Sequence, residues 1–148
     1  MKYYSVLTVV VLLFFINISW GQIEKNNNVI IITGGYSTAE NFDVTAKYLI
    51  NNGFTFETIN KEYNQMVTNS KSYAGAFNYK LIVNFENKIV FIRASLQLMN
   101  LGQQLMWVDW EYAKSRGSYY NKAYLKFNPI VEGIVNKIDA VEVEFKTE

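Results

Sequence analysis

From Phe77 to Ala94 polar and apolar residues alternate along the chain. Phe77, Tyr79, Leu81, Val83 and Phe85 occupy every second position, with Asn78, Lys80 and Asn84 between them. A period of two sends one set to one face of a sheet and the other set to the opposite face. A polar break, Glu86-Asn87-Lys88, separates this run from a second apolar run, Ile89 to Ala94. That spacing predicts an antiparallel hairpin with one aromatic, greasy face that other elements must cover.

The flanking pattern supplies the cover. Val29 to Thr33 is apolar and β-branched, as a buried strand requires. After Gly34-Gly35, Ser37-Thr38-Ala39-Glu40 fits a capping box, and Ala39, Phe42, Ala46, Leu49 and Ile50 follow at helical intervals. The spacing predicts a helix over Thr38–Asn52, closed by Gly53 in the left-handed conformation. Phe54 to Lys61 reads as extended, and Glu62 to Ser70 as an edge strand or twisted hairpin arm. Lys71 to Ala76 reads as a loop or strand entry. Near the C-terminus, Asn128-Pro129 is a helix start: asparagine caps, and proline at the first helical position needs no N–H partner. Ile130, Ile134 and Ile138 carry that helix to about Asp139. Beyond it, helical steps through Val141 and Phe145 compete with the strand-like alternation of Val141, Val143 and Phe145. The expected fold is α+β, with an antiparallel sheet of four to five strands and both helices on one face, in the order β-α-β-β-β-β-α.

These elements resemble a family of small secreted bacterial domains of unknown function with a TATA-binding-protein-like fold. The resemblance is carried by the strand Val29–Thr33 leading through Gly35-Tyr36-Ser37-Thr38-Ala39-Glu40 into a helix with Tyr48-Leu49. The strand pair Tyr79–Phe85 and Ile89–Arg93 and the closing helix complete it. It spans Val29 to about Ile138 and implies the fold and a secreted address. It carries no catalytic residues to transfer, and a fold name implies no DNA binding.

The N-terminus points to the same address. Lys2 precedes an apolar run from Val6 to Ile18, and Ser19 and Gly21 place small residues three and one before a cut at Gln22. This is the pattern of a secretory signal peptide, residues 1–21. The alternative is an uncleaved membrane anchor, although the run is shorter than the ~20 residues of a membrane-spanning helix; no stable membrane insertion is expected after cleavage. Residues 22–28 read as a polar tether and residues 29–148 as one domain. With no cysteine in the chain, a lipoprotein anchor, disulfides and thiolate metal sites are excluded. The expected location is periplasmic or extracellular. The 14 basic and 13 acidic side chains balance once Lys2 is removed. No basic footprint for nucleic acid and no polybasic membrane patch remains.

Candidate chemistry is sparse. No histidine is present, so Ser-His-Asp and Cys-His catalysis and histidine-ligated zinc are excluded. No cofactor and no metal site is expected. Gly34-Gly35-Tyr36-Ser37-Thr38 lies between strand and helix like a phosphate cradle, but it lacks the Walker lysine and the three-glycine fingerprint. A tight turn with a capping serine accounts for it. The segment Met99–Tyr120 has no clean period and is rich in rings. Trp107, Trp110, Tyr112, Arg116, Tyr119 and Tyr120 are the candidate contacts for a protein, peptide or glycan partner, because such rings bury large area with a polar tip. The same rings could instead close one end of the core. Asp109 and Glu111 sit among them at a spacing that shares a face on a strand, and two carboxylates suffice for glycoside hydrolysis. Three readings follow: a non-catalytic binding module, a small carboxylate-dependent hydrolase, and an adaptor that pairs through a sheet edge such as Glu62–Ser70.

Overall fold

The computed structural model describes residues 18–73, 76–98, 107–113 and 117–148. Residues 1–17 of the expected signal peptide, residues 99–106 and Arg116 lie outside them. In chain order the elements are β1 (Ser19–Trp20), β2 (Val29–Thr33), α1 (Thr38–Asn51), β3 (Phe56–Asn60), β4 (Gln65–Thr68), β5 (Lys71–Tyr73), β6 (Phe77–Glu86), β7 (Ile89–Leu98), β8 (Val108–Asp109), α2 (Tyr119–Lys137) and β9 (Glu142–Lys146).

The central hairpin is β6 and β7, ten residues each, paired from Phe77↔Leu98 to Glu86↔Ile89. The polar break tightens to a two-residue turn, Asn87-Lys88, with φ of 47° and 69°. Two successive positive φ values match the right-handed twist of the arms. The turn docks on the start of α1, where the Lys88 carbonyl accepts from the Gly34 amide at 2.9 Å and from the Asn41 side chain at 3.2 Å.

The fold is α+β, as expected, but the sheet is larger than four to five strands and is mixed. Nine strands are present among the described residues, in the order β1-β9-β2-β7-β6-β4-β3, with β5 on β6 and β8 on β7. Four features of the chain account for the difference, one of them the short strand β8 on β7. The C-terminal alternation wins over the helical reading, and β9 pairs antiparallel with β2 from Val29↔Lys146 to Thr33↔Glu142. Ser19–Trp20 adds a short parallel strand on the far side of β9. The region around Glu62–Ser70 splits into β4 and β5 along one neighbour. At the split, Thr68 turns its hydroxyl to accept the buried Leu81 amide at 2.9 Å, filling a ladder position the backbone leaves open. β4 is therefore interior, between β3 and β6, and β3 forms the edge.

Phe77, Tyr79, Leu81, Val83 and Phe85 are all buried, as are Val90, Ile92, Ala94 and Leu96 opposite them. Both helices close over this face. Phe42 of α1 meets Phe85 at 5.1 Å between ring centroids, and Phe127, Val131, Ile134 and Val135 of α2 join the same core. The α1–α2 crossing is close, with Tyr48 lying against Gly133.

The capping box at Ser37 is formed in both directions. The Ser37 hydroxyl and then its amide donate to the Glu40 carboxylate, at 2.7 and 3.0 Å, and hold that carboxyl below its ordinary 4.5. A depressed folded value means that the support is present above the unfolded value and is lost as pH falls through the folded one. In a carboxyl-carbon NMR titration Glu40 is expected to show a midpoint below 4.5, and Ser37→Ala is expected to move it back up. A midpoint unmoved by that substitution would contradict the assigned cause.

The closing helix starts earlier than Asn128. Ser118 caps it, with its hydroxyl accepting from the Asn121 amide at 3.1 Å, and Pro129 falls inside. A mid-helix proline removes the amide that would serve the carbonyl four residues back. That residue is Leu125, 62 % exposed, on the side where water can take the bond.

Candidate functional site

β2 stops at Val29, opposite Arg93, and so leaves the far half of β7 without a partner on that side. The chain returns there as β8. Val108 aligns with Leu96 and Asp109 with Ser95, and the Trp110 amide donates to the Ala94 carbonyl at 2.8 Å. The strand then meets the segment before β2. The Tyr112 amide donates to the Asn27 carbonyl at 2.7 Å, and the Asn26 amide to the Tyr112 carbonyl at 3.0 Å. Residues 22–28, the expected tether, are thus bonded at this corner, and Asn27 is buried.

Along an extended segment alternate residues face opposite ways, and this divides the candidate rings. Trp110 points inward and is 1 % exposed. Its indole stacks on Tyr124 at 5.7 Å and 11°, and meets Phe127 edge-on at 4.8 Å. The ring N–H donates to the Tyr120 carbonyl at 2.8 Å. Tyr112 packs at the border of this cluster against Trp110 and Tyr124, and Tyr120 is also half-buried. Burial, with Tyr112 and Glu132 nearby, pushes the Tyr124 hydroxyl above its ordinary 10.

Two candidates are displayed. Trp107 is 37 % exposed and Tyr119 46 %. The Lys80 ammonium stands 5.1 Å from the Trp107 ring centre, and Lys122 stands 5.6 Å from that of Tyr119. Lys80 lies on the helix-free face of β6, and its ammonium also meets the Glu57 carboxylate of β3 at 3.0 Å. Its side chain is only 19 % exposed, which reduces the screening a surface charge would meet. Asp109 and Glu111 are both exposed, on the opposite side of the segment from Trp110. Arg116 lies outside the described residues.

The structure therefore separates the five expected contacts that it describes rather than gathering them. Trp110 anchors the corner, Tyr112 and Tyr120 border it, and Trp107 and Tyr119 face outward. Lys80 and Glu57 join Trp107 without having been singled out in the sequence. Their only signal was that Lys80 holds a polar position on the central strand; that it would meet Trp107 depends on where β8 lands. Three cavities among the described residues lie elsewhere: beside Ile18 and Asp139, beside Tyr48 and Lys137, and beside Phe42 and Lys61. No cluster of three or more potential metal ligands occurs among the described residues. No protein-family model matches the chain, and no curated protein is significantly similar to it.

Proposed function

We propose that this chain is an exported, non-catalytic binding module whose contact surface is the helix-free side of the sheet around Trp107. The observation that carries this reading is the Trp107 indole, partly exposed and faced by the Lys80 ammonium, just before a strand whose position Trp110 pins to the core. An aromatic plate beside a held cation suits a peptide or protein partner with an acidic group, or a glycan ring stacking on the indole. Tyr119 and its Lys122 extend the same chemistry at the start of α2. The balanced charge argues against nucleic acid. The resemblance to secreted domains with a TATA-binding-protein-like fold supports the exported address and adds no activity.

Titration of the purified protein with panels of soluble glycans and of acidic and neutral peptides is expected to give a saturable change in tryptophan emission. Trp107→Ala is expected to abolish that response while moving the unfolding free energy by less than about 1 kcal/mol, as for a surface side chain. A response that survives in Trp107→Ala, or none across the panels with the fold intact, would remove the reading.

A further inference from the structure

β9 has two sides, and the outer one is occupied by the chain's own leader. Ser19–Trp20 runs parallel to β9, pairing Ser19↔Glu142 and Trp20↔Val143. The Ser19 amide donates to the Val141 carbonyl at 3.3 Å and the Gly21 amide to the Val143 carbonyl at 2.6 Å. Ile18 packs against the core from the same segment. It lines a groove of about 440 Å³ with Val135, Asn136, Asp139, Ala140 and Val141, between the end of α2 and the start of β9. The one acid in that groove, Asp139, already accepts from the Tyr36 hydroxyl. The walls of that groove, Ile18 among them, are thus mainly apolar.

The segment also explains its own sequence requirements. A Cβ at Gly21 would stand 3.0 Å from the Val143 carbonyl oxygen and 3.2 Å from the Glu144 Cα, so any other residue needs the edge to give by a few tenths of an ångström. Gly21 is the residue before the expected cleavage. Cutting after it removes Ile18, Ser19, Trp20 and Gly21 together. The outward carbonyls of Val141 and Val143 then lose their donors, and the groove loses one of its walls. An edge left in this state accepts another strand readily.

We propose that the outer edge of β9 is a peptide-docking site, filled by the leader in the precursor and opened by its removal. It takes an extended segment of another protein that runs parallel to β9. That segment carries an aliphatic residue three places before a glycine, as Ile18 stands before Gly21. The two backbone carbonyls set the register, the core surface on which Ile18 packs selects the aliphatic side chain, and the close approach at Val143 favours the glycine. This inference rests on the exported reading, because it needs residues 1–21 to be removed; it concerns a different surface from Trp107.

The test expresses the full chain in a secreting bacterial host and measures the intact mass of the released product. That product is then titrated into a fluorescein-labelled peptide of residues 17–22, Asn-Ile-Ser-Trp-Gly-Gln. A product beginning at Gln22 that binds with saturable anisotropy is the expected result. A peptide with aspartate at the isoleucine position should bind at least about tenfold more weakly, since a full aliphatic side chain leaves the core surface on which Ile18 packs. Val141→Lys in the protein should weaken binding similarly; Val141 is 49 % exposed, so the melting midpoint should stay near that of the parent. A product beginning at Gln22 that binds no peptide, binds both peptides alike, or instead pairs with itself through this edge overturns the docking site and leaves the exported reading standing. A released product that retains residues 1–21 overturns the docking site alone, and a chain that stays in the cytoplasm overturns both.

Discussion

Trp110→Ala is expected to cost about 3–5 kcal/mol of unfolding free energy, the range for removing a large ring from a packed interior. Domains of this size have roughly 5–15 kcal/mol in total, so the variant should melt far below the parent. Four separate contacts are lost. They are the stack on Tyr124, the edge contacts with Phe127 and Tyr112, and the N–H bond to the Tyr120 carbonyl. The last ties β8 to the first turn of α2, so hydrogen-exchange protection should fall in both elements before it falls in the central hairpin. Trp110→Phe keeps a ring and loses the N–H, and should fall between parent and alanine variant. Urea unfolding of the three proteins checks the order. A loss of under about 1 kcal/mol, typical of surface positions, would show that the indole is not a core group and that the corner is held otherwise.

Gly133→Ala should destabilise the protein, although alanine is the better helix former. In an isolated helix the change gains about 1 kcal/mol. Here the new Cβ would overlap the Tyr48 hydroxyl oxygen and the adjoining ring carbon. The ring must leave the crossing or the helices must separate. Overpacking of this kind costs about 1–3 kcal/mol, so the net effect is a loss. The sign should reverse when the obstruction is removed: in a Tyr48→Ala background, Gly133→Ala should stabilise by up to about 1 kcal/mol. A double-mutant cycle by thermal or urea unfolding reads the reversal directly. Equal effects of Gly133→Ala in the two backgrounds would mean that Tyr48 does not lie against Gly133.

Much of the fold was legible because it rests on local periodicity. The alternation from Phe77 to Phe85 identified both the strand and its buried face, since a one-residue slip would expose every ring. The capping box at Ser37 and the helix behind it were equally plain, because a cap is a contact between residues three apart. The closing helix was misplaced for the opposite reason. Asn128-Pro129 is a good local start, yet Ser118 caps the helix and α2 continues through Pro129. Burial of Ala123 and Phe127 against the sheet outweighs the lost amide bond, and Leu125, whose carbonyl loses it, faces water. The size of the sheet was hidden too. β1, β5 and β8 are strands of two or three residues that exist only because a longer neighbour offers its edge.

The aromatic segment shows the same division. The sequence located the rings; it did not show which of them face inward, because an irregular stretch has no period to set a face. Pairing of β8 with β7 decides that Trp110 points to the core and Trp107 outward beside Lys80.

By itself, then, the order of residues determined the central hairpin, its buried rings, the first helix and its cap, and the absence of histidine and cysteine chemistry. These depend on neighbours within one turn, one pleat or plain composition. The tertiary structure alone decided the mixed sheet, with nine strands among the described residues, the interior place of β4, the early start of α2, the outward turn of Trp107 and the packing of Ile18 beside β9. Each of these depends on a backbone edge or an apolar surface supplied by residues far away in the chain, and no local pattern encodes where such an edge will lie.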